Sequence, residues 1–158
     1  MDNISTITKR RLQADVILPI YDEMVKVLGE EKAQSILGTA IRKAAITEAK
    51  DFSHRELDGI TSLSSFIELF GLWTAEDALE VEIHEKSDTV FSFDVTRCQY
   101  AEMYRAMGLG HVGHLLSCNR DGAFCEGYDS NITLDRKQTI MGGADRCTFR
   151  YRYKDSAP

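Results

Sequence analysis

At Ala78 the spacing of apolar residues changes from helical to alternating, and that change constrains the fold of this 158-residue chain more than any other feature. Leu79, Val81 and Ile83 alternate with Glu80, Glu82 and His84. After a polar turn at Lys86-Ser87-Asp88, Phe91, Phe93 and Val95 alternate with Ser92, Asp94 and Thr96. Successive strand residues point to opposite faces, so two such runs predict an antiparallel hairpin with one apolar face. His84 falls on the polar face, where solvation is its expected role. A second pair follows. Ile132, Leu134, Arg136, Gln138 and Ile140 lie along one strand and Cys147, Phe149, Tyr151 and Tyr153 along another, with Gly142-Gly143-Ala144-Asp145 turning between them. Arg150, Arg152 and Lys154 are expected at a solvated edge.

Upstream of Ala78 the period is helical. Leu12, Val16, Ile20, Met24 and Val27 predict an inward face for a helix over residues 6–28, which Pro19 should break or kink because it lacks the backbone donor. Gly29 closes it. Glu30-Glu31 then open a second helix whose stripe reads Ala33, Ile36, Leu37, Ala40, Ile41 and Ala44; such small residues suggest a closely packed helix opposite, or a second copy of the chain. Thr61 or Ser62 caps a short helix with Leu63, Phe66, Ile67 and Phe70, stopped by Gly71. Trp73 is expected in the core or at a seam. The fold class expected is α+β: one domain over 1–158, with a helical part (1–75) packed on a small, mainly antiparallel four-stranded sheet (76–158).

Size and charge narrow the function. A chain of this length can bury roughly two-thirds of its unfolded surface as one domain. A net charge of −6 offers no basic footprint for nucleic acid or an anionic membrane. No apolar run is long enough to span a bilayer. Asp2 stands where a signal peptide would carry base, and Asp15 interrupts any apolar region after Lys9, Arg10 and Arg11. A cytoplasmic protein with reduced thiols is expected, its partner a small-molecule substrate.

Chemistry concentrates between Asp94 and Arg152, which hold all four cysteines, Cys98, Cys118, Cys125 and Cys147, spaced by 20, 7 and 22 positions. The absence of C-x-x-C argues against a zinc ribbon or thioredoxin motif, although ligands can still converge in space. Residues 98–107 predict a helix with Tyr100 or Ala101, Tyr104 and Met107 inward and Gly108 at its end. Cys98 would then sit at a helix N-terminus beside Arg97, both of which lower a thiol's pKa. Residues 109–130, rich in Gly, His, Asn and Asp, read as irregular or briefly helical. His111 and His114 can share one face there. Asp121, three residues after Cys118, is placed to act as a base or to orient one. Cys147, in phase with Phe149 and Tyr151, reads as a buried small hydrophobe as readily as a reactive group, and Cys125 beside Phe124 makes no claim.

Taken in order, Cys98-Gln99-Tyr100-Ala101-Glu102, Gly108-Leu109, Cys118 with Asp121, and Thr139-Ile140 through Gly143, Asp145, Cys147, Phe149 and Arg150 resemble the L-2-amino-thiazoline-4-carboxylic acid hydrolase family over about residues 90–152. The ending is more distantly similar to vinyl-4-reductase domains, small-molecule sensors that can hold zinc through cysteines; Thr139 stands where one of their ligands would be. The first resemblance implies opening of a cyclic isothiourea such as L-2-amino-thiazoline-4-carboxylate to N-carbamoyl-L-cysteine. That chemistry needs a thiolate or activated water, a proton for the departing ring atom, and a cation for the carboxylate. Cys98, Cys118 and Asp121 are the expected catalytic residues. Arg120 first, then Arg97, His111 and Thr139, are the expected substrate contacts. No cofactor is required; if zinc or another divalent metal were held, Cys147 with Cys98 and Cys118 would be its ligands. The second resemblance implies a non-catalytic small-molecule binding or sensing domain instead.

Overall fold

A computed structural model describes residues 4–154. Helix α1 (Thr6–Leu28) is capped by Ser5, whose Oγ accepts the Thr8 N–H at 3.3 Å. Helix α2 (Glu30–Arg55) follows directly, joined through Gly29 at φ +82°, a conformation that costs a residue without Cβ nothing. The helical part is completed by α3 (Leu63–Leu69), held by a Ser62–Ser65 capping box, and the single turn α4 (Gly71–Thr74). The sheet part comprises β1 (Leu79–Lys86), β2 (Val90–Cys98), α5 (Gln99–Ala106), a π-helical turn (His114–Cys118), α6 (Asn119–Tyr128), β3 (Ile132–Asp135) and β4 (Cys147–Tyr153). The strands form one antiparallel sheet in the order β1-β2-β4-β3, and the fold is α+β as expected. Among the described residues no helix is long and apolar enough to cross a membrane.

Four elements depart from the sequence-based expectations. Helix α1 runs unbroken through Pro19, which sits on its exposed side and forfeits one hydrogen bond there. Its inward face is also a different one: Arg10, Ala14 and Tyr21 are buried, whereas Leu12, Val16, Ile20 and Val27 are exposed. The stripe of α2 is rotated similarly, burying Ala33, Leu37, Ile41, Ala45 and Ala49 and leaving Ile36, Ala40 and Ala44 outside. A four-residue step drifts slowly around a helix, and its small residues allow close approach of α6, formed within the stretch read as irregular. Finally, β3 stops at Asp135, so Arg136 to Arg146 form an arch instead of continuing the strand.

Two apolar cores result. One lies among α1, α2 and α5 around Tyr104, Leu109 and Val112; the other lies between the sheet and α2, α3 and α6 around Phe66, Phe91, Phe93 and Phe124. Burying each such aromatic side chain contributes roughly 2–3 kcal/mol. Leu79, Cys98 and Ile140 pack against both cores and mark the seam.

Arg150 is not a solvated edge residue. On the outer face of the sheet its Nη2 donates to Asp94 Oδ1 at 2.9 Å, Arg146 Nη1 donates to Oδ2 at 3.1 Å, and His84 Nε2 lies 3.3 Å from Oδ2. Burial opposes the charge on Asp94, yet these bonds from Arg150, Arg146 and His84 outweigh it and lower its pKa to about 2. A carboxylate depressed on folding stabilises above its unfolded pKa of about 3.9 and loses that contribution as pH falls toward 2. Asp94→Asn is therefore expected to cost about 2 kcal/mol at pH 7 and progressively less between pH 4 and 2, measured by urea unfolding across pH.

Candidate functional site

The π turn and α6 together supply the reactive wall of a cavity at the seam. Ser117, Cys118, Arg120, Asp121 and Phe124 recur at three- and four-residue steps and all line it. A π turn is wider than an α turn, and here it links the His111 loop to the helix that carries these groups. The end of β2 adds Cys98, the start of β4 adds Cys147, and the arch adds Arg136, Thr139 and Met141. The cavity measures about 80 Å³. Its apolar side is aromatic, with Phe66, Phe70, Trp73, Phe149 and Tyr151; Trp73, expected only in core or seam, meets Phe124 edge-on at 5.2 Å.

Three thiols widely separated along the chain thus face one space, with Asp121 beside them. All of the described cysteines are free. They are not activated as position alone would suggest. Cys98 does cap α5, its Sγ accepting the Ala101 N–H at 3.4 Å, but burial pushes its pKa up to about 11 against that bond. Burial, with Asp121 nearby, pushes Cys118 up to about 12; Arg136 pulls only partly the other way. Cys147 is raised as well, chiefly by burial, and its Sγ accepts the Ile140 N–H at 3.2 Å. At neutral pH these groups are thiols.

Asp121 is bound to the arch. Arg136 Nη1 donates to its Oδ2, and Arg136 Nη2 donates to the Cys118 carbonyl at 3.1 Å. Burial drives the Asp121 carboxyl upward in pKa against the pull of Arg136. Arg136 also lies over the Phe149 ring, 5.1 Å from its centroid. Arg136 stands in phase with Ile132 and Leu134, the covered positions of β3, at the point where the arch begins.

Of the substrate contacts expected from sequence, Arg120 and Thr139 line the cavity and Arg97 and His111 do not. Arg97 is exposed and turned outward, with Nε donating to Glu102 Oε1 at 2.9 Å and Nη1 3.6 Å from Glu80 Oε1, so it cannot poise Cys98. His111 is exposed near Tyr21, their rings 6.1 Å apart. Cys147, Cys98 and Cys118 all line the cavity, and among the described residues no group of three or more His, Cys, Asp or Glu side chains is arranged to hold a metal ion. Cys125 packs in the core, its Sγ 3.4 Å from the Asp121 carbonyl.

Sequence reasoning missed Arg10, Glu48, Ser117 and the role of Arg136. Arg10 was detectable in principle, because Arg10, Ala14, Ile17 and Tyr21 follow a helical step and a charge on a buried stripe is costly without a partner. Nothing local marks Glu48.

Fold and site define a small α+β protein built around a thiol-lined, partly aromatic cavity. The chain belongs to the L-2-amino-thiazoline-4-carboxylic acid hydrolase family, whose model matches residues 9–151 and so includes the helical part. Among curated proteins none matches the chain. Solved structures that share its fold include two at 13% identity. One is the phenol-responsive sensory domain of the transcription activator PoxR with phenol, at TM-score 0.55 and 13% identity, covering 97% of this chain and 76% of that one. The other is a trafficking protein particle complex subunit 3 from Naegleria fowleri covalently bound to palmitic acid, at TM-score 0.52 and 13% identity, covering 93% and 96%.

Proposed function

We propose that this protein is a hydrolase that opens a small cyclic isothiourea, L-2-amino-thiazoline-4-carboxylate or a close relative, to the N-carbamoyl thiol. What supports the reading is the convergence of Cys98, Cys118, Cys147 and Asp121 on one cavity in a chain of this family. Cys118 is the nucleophile in this scheme. Its thiol is a poor one while protonated, so attack is coupled to proton transfer, and Asp121 lies one helical turn away on the same face.

As Sγ bonds to the amidine carbon, its proton passes to Asp121. The carbon–sulfur bond of the ring then breaks, and Asp121 returns the proton to the departing sulfur. Water next adds to the same carbon with Asp121 as base. The bond to Cys118 breaks, the thiol is reprotonated, and N-carbamoyl-L-cysteine leaves. Arg136 keeps the Asp121 carboxylate aimed, and Arg120 meets the substrate carboxylate.

A second reading, a binding or sensing domain without turnover, is favoured by the aromatic side of the cavity and by the fold shared with a phenol-responsive sensory domain. One assay separates the two. Incubating the protein with L-2-amino-thiazoline-4-carboxylate and following release of free thiol is expected to show catalytic turnover. Saturable binding with no thiol released would favour the second reading.

A further inference from the structure

Two arginines in the cavity share a single counter-ion. Arg10 is 6% exposed and Arg120 9%, values rare for guanidinium groups. Arg10 Nη2 and Arg120 Nη1 approach the same oxygen, Glu48 Oε2, at 3.4 and 3.6 Å. Arg10 Nη1 and Arg120 Nη2 likewise share Gln13 Oε1, at 3.1 and 3.4 Å. The two guanidinium groups are thus held close together by one shared carboxylate and one shared amide, while Arg120 Nε also donates to the Leu116 carbonyl at 2.8 Å, and Glu48 is itself 36% exposed. Arg136 and Asp121 offset each other nearby, which leaves one positive charge uncompensated in a chain whose net charge is −6. A buried charge without a partner is strongly unfavourable, and paired arginines are the usual means of seating a carboxylate.

We infer that Arg10 and Arg120 form an anion seat that selects small monocarboxylates and holds them with their ring toward the thiols and the aromatic side. The inference rests on the hydrolase reading for the ring it places there; the seat itself stands on the charge count and the shared contacts. Arg10 comes from α1 and Arg120 from α6, so the seat exists only when the helical part is docked on the sheet part. Burial first and the neighbouring Arg10 charge second lower the pKa of Arg120 to about 10 against the pull of Glu48, and a bound carboxylate would offset both.

The test is calorimetric titration of the intact protein with thiazole-4-carboxylate, which lacks the 2-amino group of the substrate, and with thiazole-4-carboxamide. The acid is expected to bind at least tenfold more tightly than the amide. Arg120→Gln should bring the acid down to the amide's affinity while leaving the amide unchanged. Glu48→Gln removes the competing carboxylate and should tighten the acid several-fold, a gain that misfolding cannot imitate. Equal affinity for acid and amide, no binding of the acid, or weaker acid binding by Glu48→Gln would each overturn the seat. Preference for the acid, dependent on Arg120, in a protein that releases no thiol from L-2-amino-thiazoline-4-carboxylate would uphold the seat and sink the hydrolase reading. Thiol release without any preference for the acid would do the reverse.

Discussion

Replacing Cys118 by serine is expected to lower kcat/KM for ring opening by about 10³-fold or more while moving the melting temperature only slightly. Serine nearly matches cysteine in shape, so the cavity wall survives. A hydroxyl, however, ionises far less readily than a thiol already pushed up to about 12. The factor corresponds to about 4 kcal/mol of transition-state stabilisation, which is what loss of a covalent route removes. Cys98→Ser should also slow the reaction, since Cys98 lines the same cavity from the end of β2. Thiol-release kinetics beside thermal scans of both variants check this. If both retain the wild-type rate, the chemistry belongs to another group.

The second large effect concerns the helical scaffold. Gly127→Ala is expected to destabilise the protein by about 3 kcal/mol or more, read as a lowered urea midpoint with an unchanged slope. A Cβ at Gly127 would lie 2.3 Å from the Ile46 carbonyl oxygen and 2.8 Å from Ala49 Cβ. Both belong to α2, one of them backbone, so no side-chain rotation relieves the clash. The cost should extend to function. Helix α6 carries Cys118's neighbours Arg120 and Asp121, and pushing it away from α2 also separates Arg120 from Glu48. Activity is therefore expected to fall in Gly127→Ala even at temperatures where it stays folded.

The sheet was legible because its code is local. Alternation in β1, β2 and β4 reports which residues lie in the apolar layer, and Phe91, Phe93 and Val95 are all buried as that code requires. Even there an edge strand weakens the signal, since Ile83 in β1 is more than half exposed beside a register irregularity. Helices were harder to orient than to find. In α1 Leu12, Val16, Ile20 and Val27 are exposed, and the covered face, which carries Ile7, Ala14, Ile17, Tyr21 and Met24, also carries an arginine. Periodicity specifies that a helix has a face; the surroundings decide which face is covered.

By itself the sequence determined the α+β class, the switch at Ala78, the helix begun by Cys98, and the concentration of thiols with Asp121 in one stretch, because each depends on residues close together along the chain. Only the tertiary structure decided what state those thiols are in and what they face. A thiol's pKa depends on how much solvent its packing removes, and burial here overrides the helix terminus that capping alone would credit. Arg10, Glu48 and Arg136 join the site from three separate segments because packing α1, α2 and the start of the arch against α6 brings distant charges into one low-dielectric space.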